Sequence, residues 1–181
     1  HAGEVEIFED PSAKGGAFAN MYEGTDTSYG KITNGKLHAV IDSGSVITFY
    51  HEDGRVLLKE HFRRLRDEES MPLNIMGREY SNGVGDNFRI VTRFVARKGE
   101  KIFGMGQYQQ HELDLKGCML ELAQRNSQVS VPFYLSSIGY GFLWNNPGVG
   151  QVMFANNGTE WVTESGKEID YLVIAGDTPA E

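Results

Sequence analysis

The chain alternates between short segments of apolar and polar residues and glycine-containing dipeptides, a pattern that is typical of an all-β protein. Asn34-Gly35 and Asp53-Gly54 are hairpin dipeptides, because both residue types tolerate the positive φ angles of tight turns. Residues 36–41, 46–50 and 55–59 alternate with a period of two around these turns. The three runs predict an antiparallel meander.

The second half of the chain continues the strand pattern. The longest clean alternation runs from Asp86 to Ala96 and predicts a strand with one apolar face. Further strands are predicted at residues 132–136, 140–144, 151–155, 160–164 and 168–175. The last of these is apolar on both faces, which favours a central position in its sheet. About a dozen short strands without a βαβ rhythm indicate a large antiparallel β-sandwich.

Two segments carry helical signals. Residues 58–65 have apolar residues at helical spacing, and the alternative is a strand that ends near Glu60 and is followed by a charged loop. Thr178-Pro179-Ala180-Glu181 has the residues of a capping box, with proline at the first helical position. We therefore expect one β-sandwich domain over residues 1–177, with residues 178–181 starting a connection to a further domain.

The overall charge restricts the classes of partner. The net charge is −8 and the pI is about 5.1, which argues against nucleic acid because phosphates require a basic surface. No apolar run approaches the roughly 20 residues of a membrane span, so no membrane partner is predicted. Cys118 is the single cysteine, and the histidines His51, His61 and His111 lack ligand spacing. Neither a disulfide nor a metal or cofactor is therefore predicted. The localisation stays open between cytoplasmic and secreted or periplasmic bacterial.

Two further motifs are weak signals of catalysis. Gly104-Met105-Gly106 resembles a phosphate loop only superficially, since no third glycine and no helical pattern follow it. We expect these glycines to bend a strand or to let another backbone approach closely. Glu112, Asp114 and Glu121 are carboxylates in an acidic chain, and the sequence gives none of them a partner that would shift a pKa. No catalytic residue is therefore predicted.

The polar run from Glu121 to Ser130 is the more unusual feature. Its amide and guanidinium side chains make planar, often paired hydrogen bonds, as the vicinal hydroxyls of a sugar require. Aromatic residues near the run would stack on the apolar faces of a sugar; these are Tyr108, Tyr134, Trp144 and Trp161. The alternative is a loop whose polar side chains satisfy its own backbone.

From Lys101 onward, a series of motifs resembles one enzyme family. IFGMGQYQ at residues 102–109 resembles the "fGlGe" strand and turn of glycoside hydrolase family 31. LAQRNSQVSVPFYLSS (122–137), GYGFLWNNP (139–147) and IDYLVIAGDTPAE (169–181) follow in the order of that family. The resemblance implies an N-terminal β-sandwich of galactose mutarotase-like fold that leads toward a catalytic (β/α)8 barrel.

The resemblance further implies a parent enzyme that is a retaining α-glycosidase, such as an α-glucosidase or α-xylosidase. Its two catalytic aspartates would lie on barrel strands outside this chain, so the chain itself would be non-catalytic. In the family, a loop of the N-terminal domain helps to form the substrate subsites, and the matching residues here are Arg125, Asn126 and Gln128. The family often has an acidic residue after the arginine, where this chain has an amide that can donate as well as accept.

The expected partners are the catalytic barrel of the same polypeptide and an α-linked oligosaccharide. The surface that meets the barrel should be an apolar patch with a polar rim. Two alternative functions remain open. A free-standing carbohydrate-binding module would bind an oligosaccharide without a barrel, whereas a sugar mutarotase, suggested by fold analogy alone, would need an acid–base pair that the sequence does not nominate.

Overall fold

A computed structural model describes residues 18–22, 29–42, 44–64 and 74–178. Regular structure within these ranges consists of sixteen β-strands without a helix, which confirms the predicted all-β class. The strands are β1 (Phe18–Tyr22), β2 (Tyr29–Asn34), β3 (Leu37–Ile41), β4 (Ile47–His51), β5 (Val56–Lys59), β6 (Arg63–Arg64), β7 (Asn74–Ile75), β8 (Arg78–Asn82), β9 (Phe88–Phe94), β10 (Ile102–Gln107), β11 (Met119–Leu122), β12 (Val129–Ser136), β13 (Tyr140–Trp144), β14 (Gly150–Phe154), β15 (Thr159–Gly166) and β16 (Tyr171–Ala175).

The chain divides into two compact units, and the first is His1–Leu58. Its strands form an antiparallel sheet in the order β1-β2-β3-β4-β5, so the predicted meander of β3, β4 and β5 is confirmed. After β5, Glu60 forms an isolated bridge with Phe94, and the strand alternative for this segment is therefore correct as far as Glu60. The loop expected after Glu60 is interrupted by the short strand β6, so that part of the alternative was wrong. Residue 65 and the last three residues of the capping box lie outside the described residues. The domain boundary expected at residues 177–178 stays a prediction.

The second unit, Lys59–Glu181, contains two antiparallel sheets that form a β-sandwich. The four-stranded sheet has the order β10-β12-β13-β16, and the five-stranded sheet has the order β11-β14-β15-β9-β8. Strands β6 and β7 form a separate short pair. Consecutive strands such as β11 and β12 belong to different sheets, so the chain crosses between the layers more than once.

Aromatic side chains from both sheets fill the sandwich interior. Tyr134, Phe142 and Trp144 come from the four-stranded sheet, and Phe94 and Trp161 come from the five-stranded sheet; none is more than 1% exposed. The ring centroid of Phe142 lies 5.2 Å from that of Trp161 and 5.4 Å from that of Phe94. Each such pair contributes about 0.5–1.5 kcal/mol beyond the burial of its area. The contacts join the two sheets directly and identify this layer as the core.

The position of the last strand differs from the prediction. β16 lies at the end of its sheet instead of the centre, and in the described structure it pairs with β13 alone. On its inner face, Tyr171 stacks on Phe142 with 5.3 Å between the ring centroids. On its outer face, Ile174 is 46% exposed. The apolar residues of the outer face therefore do not reflect burial inside the sandwich.

The Gly104-Met105-Gly106 segment bends β10, as the sequence predicts. The pairing of β10 with β12 shifts register between the two glycines. A Cβ at Gly106 would lie 2.2 Å from the carbonyl oxygen of Val129 and 2.8 Å from the nitrogen of Val131, and the φ angle there is +94°. Only glycine permits both this close approach and this φ angle without strain. The motif is a structural bend that serves the packing of β12.

Candidate functional site

The three predicted site residues lie on one loop, residues 123–128, which crosses from β11 in one sheet to β12 in the other. We call it the crossing loop. It ends in a tight turn, in which the backbone N–H of Gln128 donates to the carbonyl of Arg125 at 3.1 Å. Ser127 has a φ angle of +71°, which is uncommon outside glycine and asparagine and makes the reversal possible. The turn leaves Arg125 and Asn126 exposed and Gln128 half-buried.

The base of the crossing loop is held by side chains. The amide of Gln124 donates to the carbonyl of Ser130 at 2.7 Å and accepts from its backbone N–H at 3.1 Å. The hydroxyl of Tyr108 donates to the carbonyl of Glu121 at 3.0 Å and lies 2.8 Å from the Ser130 hydroxyl. The alternative interpretation, in which the polar run satisfies its own backbone, is therefore correct for Gln124. It does not extend to the tip of the loop.

The polar side chains at the tip of the crossing loop differ in whether they have a hydrogen-bond or ion-pair partner. Arg125 forms an ion pair with Glu121, and both side chains are more than half exposed. Such an exposed pair contributes about 0–1 kcal/mol, so a ligand can displace it at low cost. The side-chain amides of Asn126 and Gln128 have no hydrogen-bond partner among the described residues. The tip thus presents two unoccupied amides and one weakly held guanidinium.

A groove of ≈ 710 Å³ lies against the base of the crossing loop. Gln124 and Ser130 line it, together with Asn145, Glu168 and Asp170. The amide of Asn145 donates to the Asp170 carboxylate, which positions that carboxylate at the groove. Carboxylates and amides accept from and donate to hydroxyl groups, and the rest of the lining includes leucine, proline and valine side chains. This mixture suits a neutral polyhydroxylated ligand.

Three of the four aromatic residues expected to stack on sugar are buried, although Trp144 is among the residues that line the groove. Tyr134, Trp144 and Trp161 are at most 1% exposed in the sandwich core, so that expectation was wrong for all three. These three side chains pack against residues that are distant in sequence, and their spacing along the chain does not indicate this packing. Tyr108 is close to the loop, but its hydroxyl holds the loop base. Any contact with a ligand at the tip must therefore be mainly polar.

The other candidate carboxylates have structural surroundings. Asp114 accepts from the backbone N–H groups of Ile102 at 3.0 Å and Lys116 at 3.1 Å. Desolvation works in the opposite direction, but these two backbone hydrogen bonds hold the pKa of Asp114 below its ordinary value. A carboxylate with a lowered pKa is a poor general acid. Glu121 is tied to Arg125, and neither group is placed as a member of an acid–base pair.

Sequence reasoning missed a buried polar cluster around Glu100, which is 5% exposed. Its carboxylate accepts from Ser136 Oγ at 2.6 Å and from the Tyr140 hydroxyl at 2.8 Å, and it lies 3.4 Å from Lys116 Nζ. Burial raises the pKa of Tyr140 and of Tyr134, whose hydroxyl is 3.1 Å from that of Tyr140. Both phenols therefore remain hydrogen-bond donors. The cluster joins the start of β10 to β12 and β13.

The described residues include no group of three or more histidine, cysteine, aspartate or glutamate side chains arranged to hold a metal ion. Over the same ranges there is no helix that is both long and apolar enough to cross a membrane.

Comparison with known proteins identifies relatives of this chain that are named as glycosidases. No family model matches the chain. It is 45% identical over 161 residues to an uncharacterized family 31 glucosidase of Pseudescherichia vulneris, an alignment that covers 83% of this chain and 30% of that protein. It is 35% identical over 100 residues to an α-xylosidase of Saccharolobus solfataricus, covering 50% of this chain and 14% of that protein.

A solved structure gives the same assignment. A family 31 α-xylosidase from a soil metagenome, complexed with xylose, superposes with a TM-score of 0.80 and 43% identity over 90% of this chain and 25% of the xylosidase. The fold and these relatives define a β-sandwich of the kind found in glycoside hydrolases. The chain belongs to glycoside hydrolase family 31. It spans less than a third of the length of each of these relatives.

Proposed function

We propose that the chain is a non-catalytic β-sandwich domain of a retaining α-glycosidase that hydrolyses terminal α-linked xylose or glucose. The crossing loop contributes Arg125, Asn126 and Gln128 to the substrate subsites, while the chemistry takes place in a separate catalytic domain of the same polypeptide. The observation that carries this proposal is the crossing loop itself: its tip presents unoccupied amides and its base is braced by Gln124 and Tyr108.

The chemistry of the tip supports a role in substrate selection. An amide offers a donor and an acceptor in one plane, which matches two neighbouring hydroxyls of a sugar ring. A fixed loop base reduces the ordering cost that a flexible loop would add to binding. The groove beside the loop supplies further acceptors and apolar surface for a second sugar unit.

The contacts of the two candidate carboxylates nearest the crossing loop support the non-catalytic part. Retaining glycosidases need two carboxyl groups about 5–5.5 Å apart, one as nucleophile and one as acid/base. Near the crossing loop, Glu121 is engaged by Arg125 and Asp114 by two backbone N–H groups. We therefore expect the purified 181-residue chain to release no product from aryl α-xylosides or α-glucosides. Specific hydrolysis by this chain would contradict the proposal.

The subsite role is tested in the intact polypeptide that carries a catalytic domain. Asn126→Ala and Gln128→Ala should each raise KM for an α-linked disaccharide by about 2- to 10-fold, because one hydrogen bond contributes about 0.5–1.5 kcal/mol. The value of kcat should change little, since the proposal gives the loop a part in binding and leaves the chemistry to the catalytic domain. Asn82→Ala is the matched control, because Asn82 is an exposed amide on β8, at the far edge of the five-stranded sheet from β11. Equal KM values for all three variants would contradict the subsite role.

The groove also favours a second candidate, a carbohydrate-binding module that acts without a catalytic domain. This candidate predicts saturable binding of an oligosaccharide by the 181-residue chain in calorimetry. Asp170→Asn should weaken that binding, because Asp170 lines the groove. We expect no measurable heat, because half of a subsite buries too little sugar to overcome the ordering cost.

A further inference from the structure

Asparagine followed directly by glycine occurs three times in the chain, at Asn34-Gly35, Asn82-Gly83 and Asn157-Gly158. Asparagine is thermolabile, and glycine has no side chain to shield its backbone nitrogen from the asparagine side chain before it. That nitrogen attacks the side-chain carbonyl carbon only if the backbone can rotate and the glycine N–H is not held in a hydrogen bond. The three pairs share one chemistry, so their surroundings decide which of them reacts.

The Asn82-Gly83 pair is held by the β-ladder. Asn82 is the last residue of β8 and pairs with Phe88. The backbone N–H of Gly83 donates to the carbonyl of Asn87 at 3.0 Å. A Cβ at Gly83 would lie 2.8 Å from the same carbonyl oxygen, so the backbone is also closely packed there. Attack by this nitrogen therefore requires that the end of the hairpin open first.

The Asn34-Gly35 pair lies at the end of another hairpin. Asn34 is half-buried, is the last residue of β2 and pairs with Leu37 across the turn. The ladder keeps the backbone of Asn34 in the extended conformation of a strand. It therefore restrains the rotation that ring closure needs.

The Asn157-Gly158 pair is in a different position. Phe154 pairs with Thr159, so residues 155–158 form a four-residue connection between β14 and β15 outside the ladder. Asn157 is exposed. Among the described residues, neither its side-chain amide nor the backbone N–H of Gly158 has a hydrogen-bond partner. The two reacting groups are therefore accessible to each other and to water.

We propose that Asn157 is a site of spontaneous deamidation, a covalent modification for which the chain supplies its own nucleophile. After losing its proton to hydroxide, the backbone nitrogen of Gly158 attacks Cγ of Asn157. The bond from Cγ to the side-chain nitrogen breaks, and that nitrogen takes a proton from water and leaves as ammonia. One water molecule then opens the cyclic imide at either carbonyl, which gives aspartate or isoaspartate. The reaction is a hydrolysis and involves no change of oxidation state.

The modification changes both the charge and the backbone of the connection. Either product adds one carboxylate to a chain whose net charge is −8. Isoaspartate also leads the main chain through the side-chain carbon, which lengthens the four-residue connection by one methylene. Phe154 and Trp161 on the flanking strands are completely buried. The modified chain should therefore keep its fold and differ from the parent mainly in charge, so that ion exchange separates the two forms.

The proposal is tested in the intact polypeptide, incubated at mildly alkaline pH and physiological temperature. Mass spectrometry follows the peptides that contain Asn157 and Asn82, and fragment ions assign the modified residue. Deamidation at Asn157 should be at least about 10-fold faster than at Asn82, because only Asn82 requires local opening of its hairpin. In urea, where both pairs are released from the fold, the two rates should become similar. The readout is the mass of a peptide, so it does not depend on which substrate the polypeptide hydrolyses.

Gly158→Ala tests the role of the glycine nitrogen. A Cβ at Gly158 would lie 3.5 Å from the Phe94 carbonyl oxygen, which is an ordinary contact, and the φ angle there lies outside the left-handed region. The variant should therefore fold. It should slow deamidation at Asn157 severalfold, because the new Cβ crowds the attacking nitrogen and narrows the backbone angles that it can reach.

Three outcomes would overturn the proposal. Equal rates at Asn157 and Asn82 in the folded polypeptide would mean that the connection gives no advantage. Aspartate as the only product would indicate direct hydrolysis of the amide, which makes no isoaspartate. An unchanged rate in Gly158→Ala would exclude the glycine nitrogen as the nucleophile. If that variant does not fold, Asn157→Gln repeats the test, because its longer side chain closes a six-membered ring more slowly, and an undiminished mass gain at residue 157 would contradict the proposal.

Discussion

Two buried threonines on neighbouring strands allow the energetics of the sandwich core to be tested with a matched pair of substitutions. Thr163 on β15 accepts a hydrogen bond at 3.0 Å from Nε1 of Trp144, which lies on the opposite sheet. Thr92 on β9 is also completely buried, but its hydroxyl has no partner among the described residues. Valine has almost the shape of threonine and lacks the hydroxyl. At position 163 the change to valine therefore removes a hydroxyl that accepts a hydrogen bond. At position 92 it removes a hydroxyl that has no partner.

The two substitutions should change stability in opposite directions. Thr163→Val leaves the indole N–H of Trp144 buried without a partner, which should lower the free energy of unfolding by about 1–3 kcal/mol. Thr92→Val removes a hydroxyl that is buried away from water without forming a hydrogen bond. This change should raise the free energy of unfolding by about 1–2 kcal/mol. For a chain of this length, each 1 kcal/mol corresponds to about 2–4 °C in Tm. The two variants should then differ by at least about 4 °C.

Thermal unfolding followed by far-ultraviolet circular dichroism is the suitable assay, because tryptophan fluorescence would itself respond to the change near Trp144. A double-mutant cycle with Trp144→Phe separates the hydrogen bond from packing, since Thr163→Val should cost less once the indole N–H is gone. If Thr92→Val destabilised the chain as much as Thr163→Val, the assignment of the Thr92 hydroxyl as unpaired would be wrong.

Two further predictions concern the bend in β10 and the loop that follows it. In a urea titration, Gly106→Ala should lower the free energy of unfolding by about 2 kcal/mol or more, because the new Cβ meets the backbone of β12. Gly85→Ala is the control: Gly85 has a φ angle of +66° with open space around it, so only the smaller conformational cost is expected. Asp114→Asn should lower stability at neutral pH, and the difference from the parent chain should shrink as the pH falls below 3.8, because a lowered pKa stabilises the fold above the ordinary value and this contribution is lost as pH falls through the folded-state pKa. Parallel curves for the variant and the parent chain across that pH range would show that Asp114 contributes nothing through its charge; Glu112→Gln serves as the control.

The local features of the fold were predictable because they depend on near neighbours in sequence. The period of two located β3, β4 and β9, and the paired glycines around Met105 indicated a bend with close backbone approach. These signals reflect strand geometry and steric limits that a few adjacent residues fix. The crossing loop was visible for the same reason, because amide-rich residues interrupt the alternation there; the binding role of its residues stays a prediction.

The features that were missed depend on contacts between distant parts of the chain. Glu100 joins Ser136 and Tyr140, which follow it by 36 and 40 residues, and nothing near Glu100 in sequence marks it as buried. Trp144 and Trp161 were taken for sugar-stacking residues because an aromatic side chain reads the same in sequence whether it faces a core or a ligand. The two tryptophans face the core because of the order of the strands in the sheets, which depends on pairing between distant parts of the chain.

The error over β16 is the most informative, because the pattern was real and only its cause was misassigned. Apolar residues on both faces of a strand favour a central position in a sheet, but an edge strand can carry them as well. In β16, Tyr171 packs in the interior of the sandwich, whereas Ile174 faces outward on a surface without charged residues. The neighbouring strands β12 and β13 repeat the pattern, which argues against chance at a single strand. The two apolar faces of β16 therefore did not reveal its position, because non-local pairing sets the strand order. The crossing loop leads into the same four-stranded sheet, since Gln128 precedes Val129 at the start of β12.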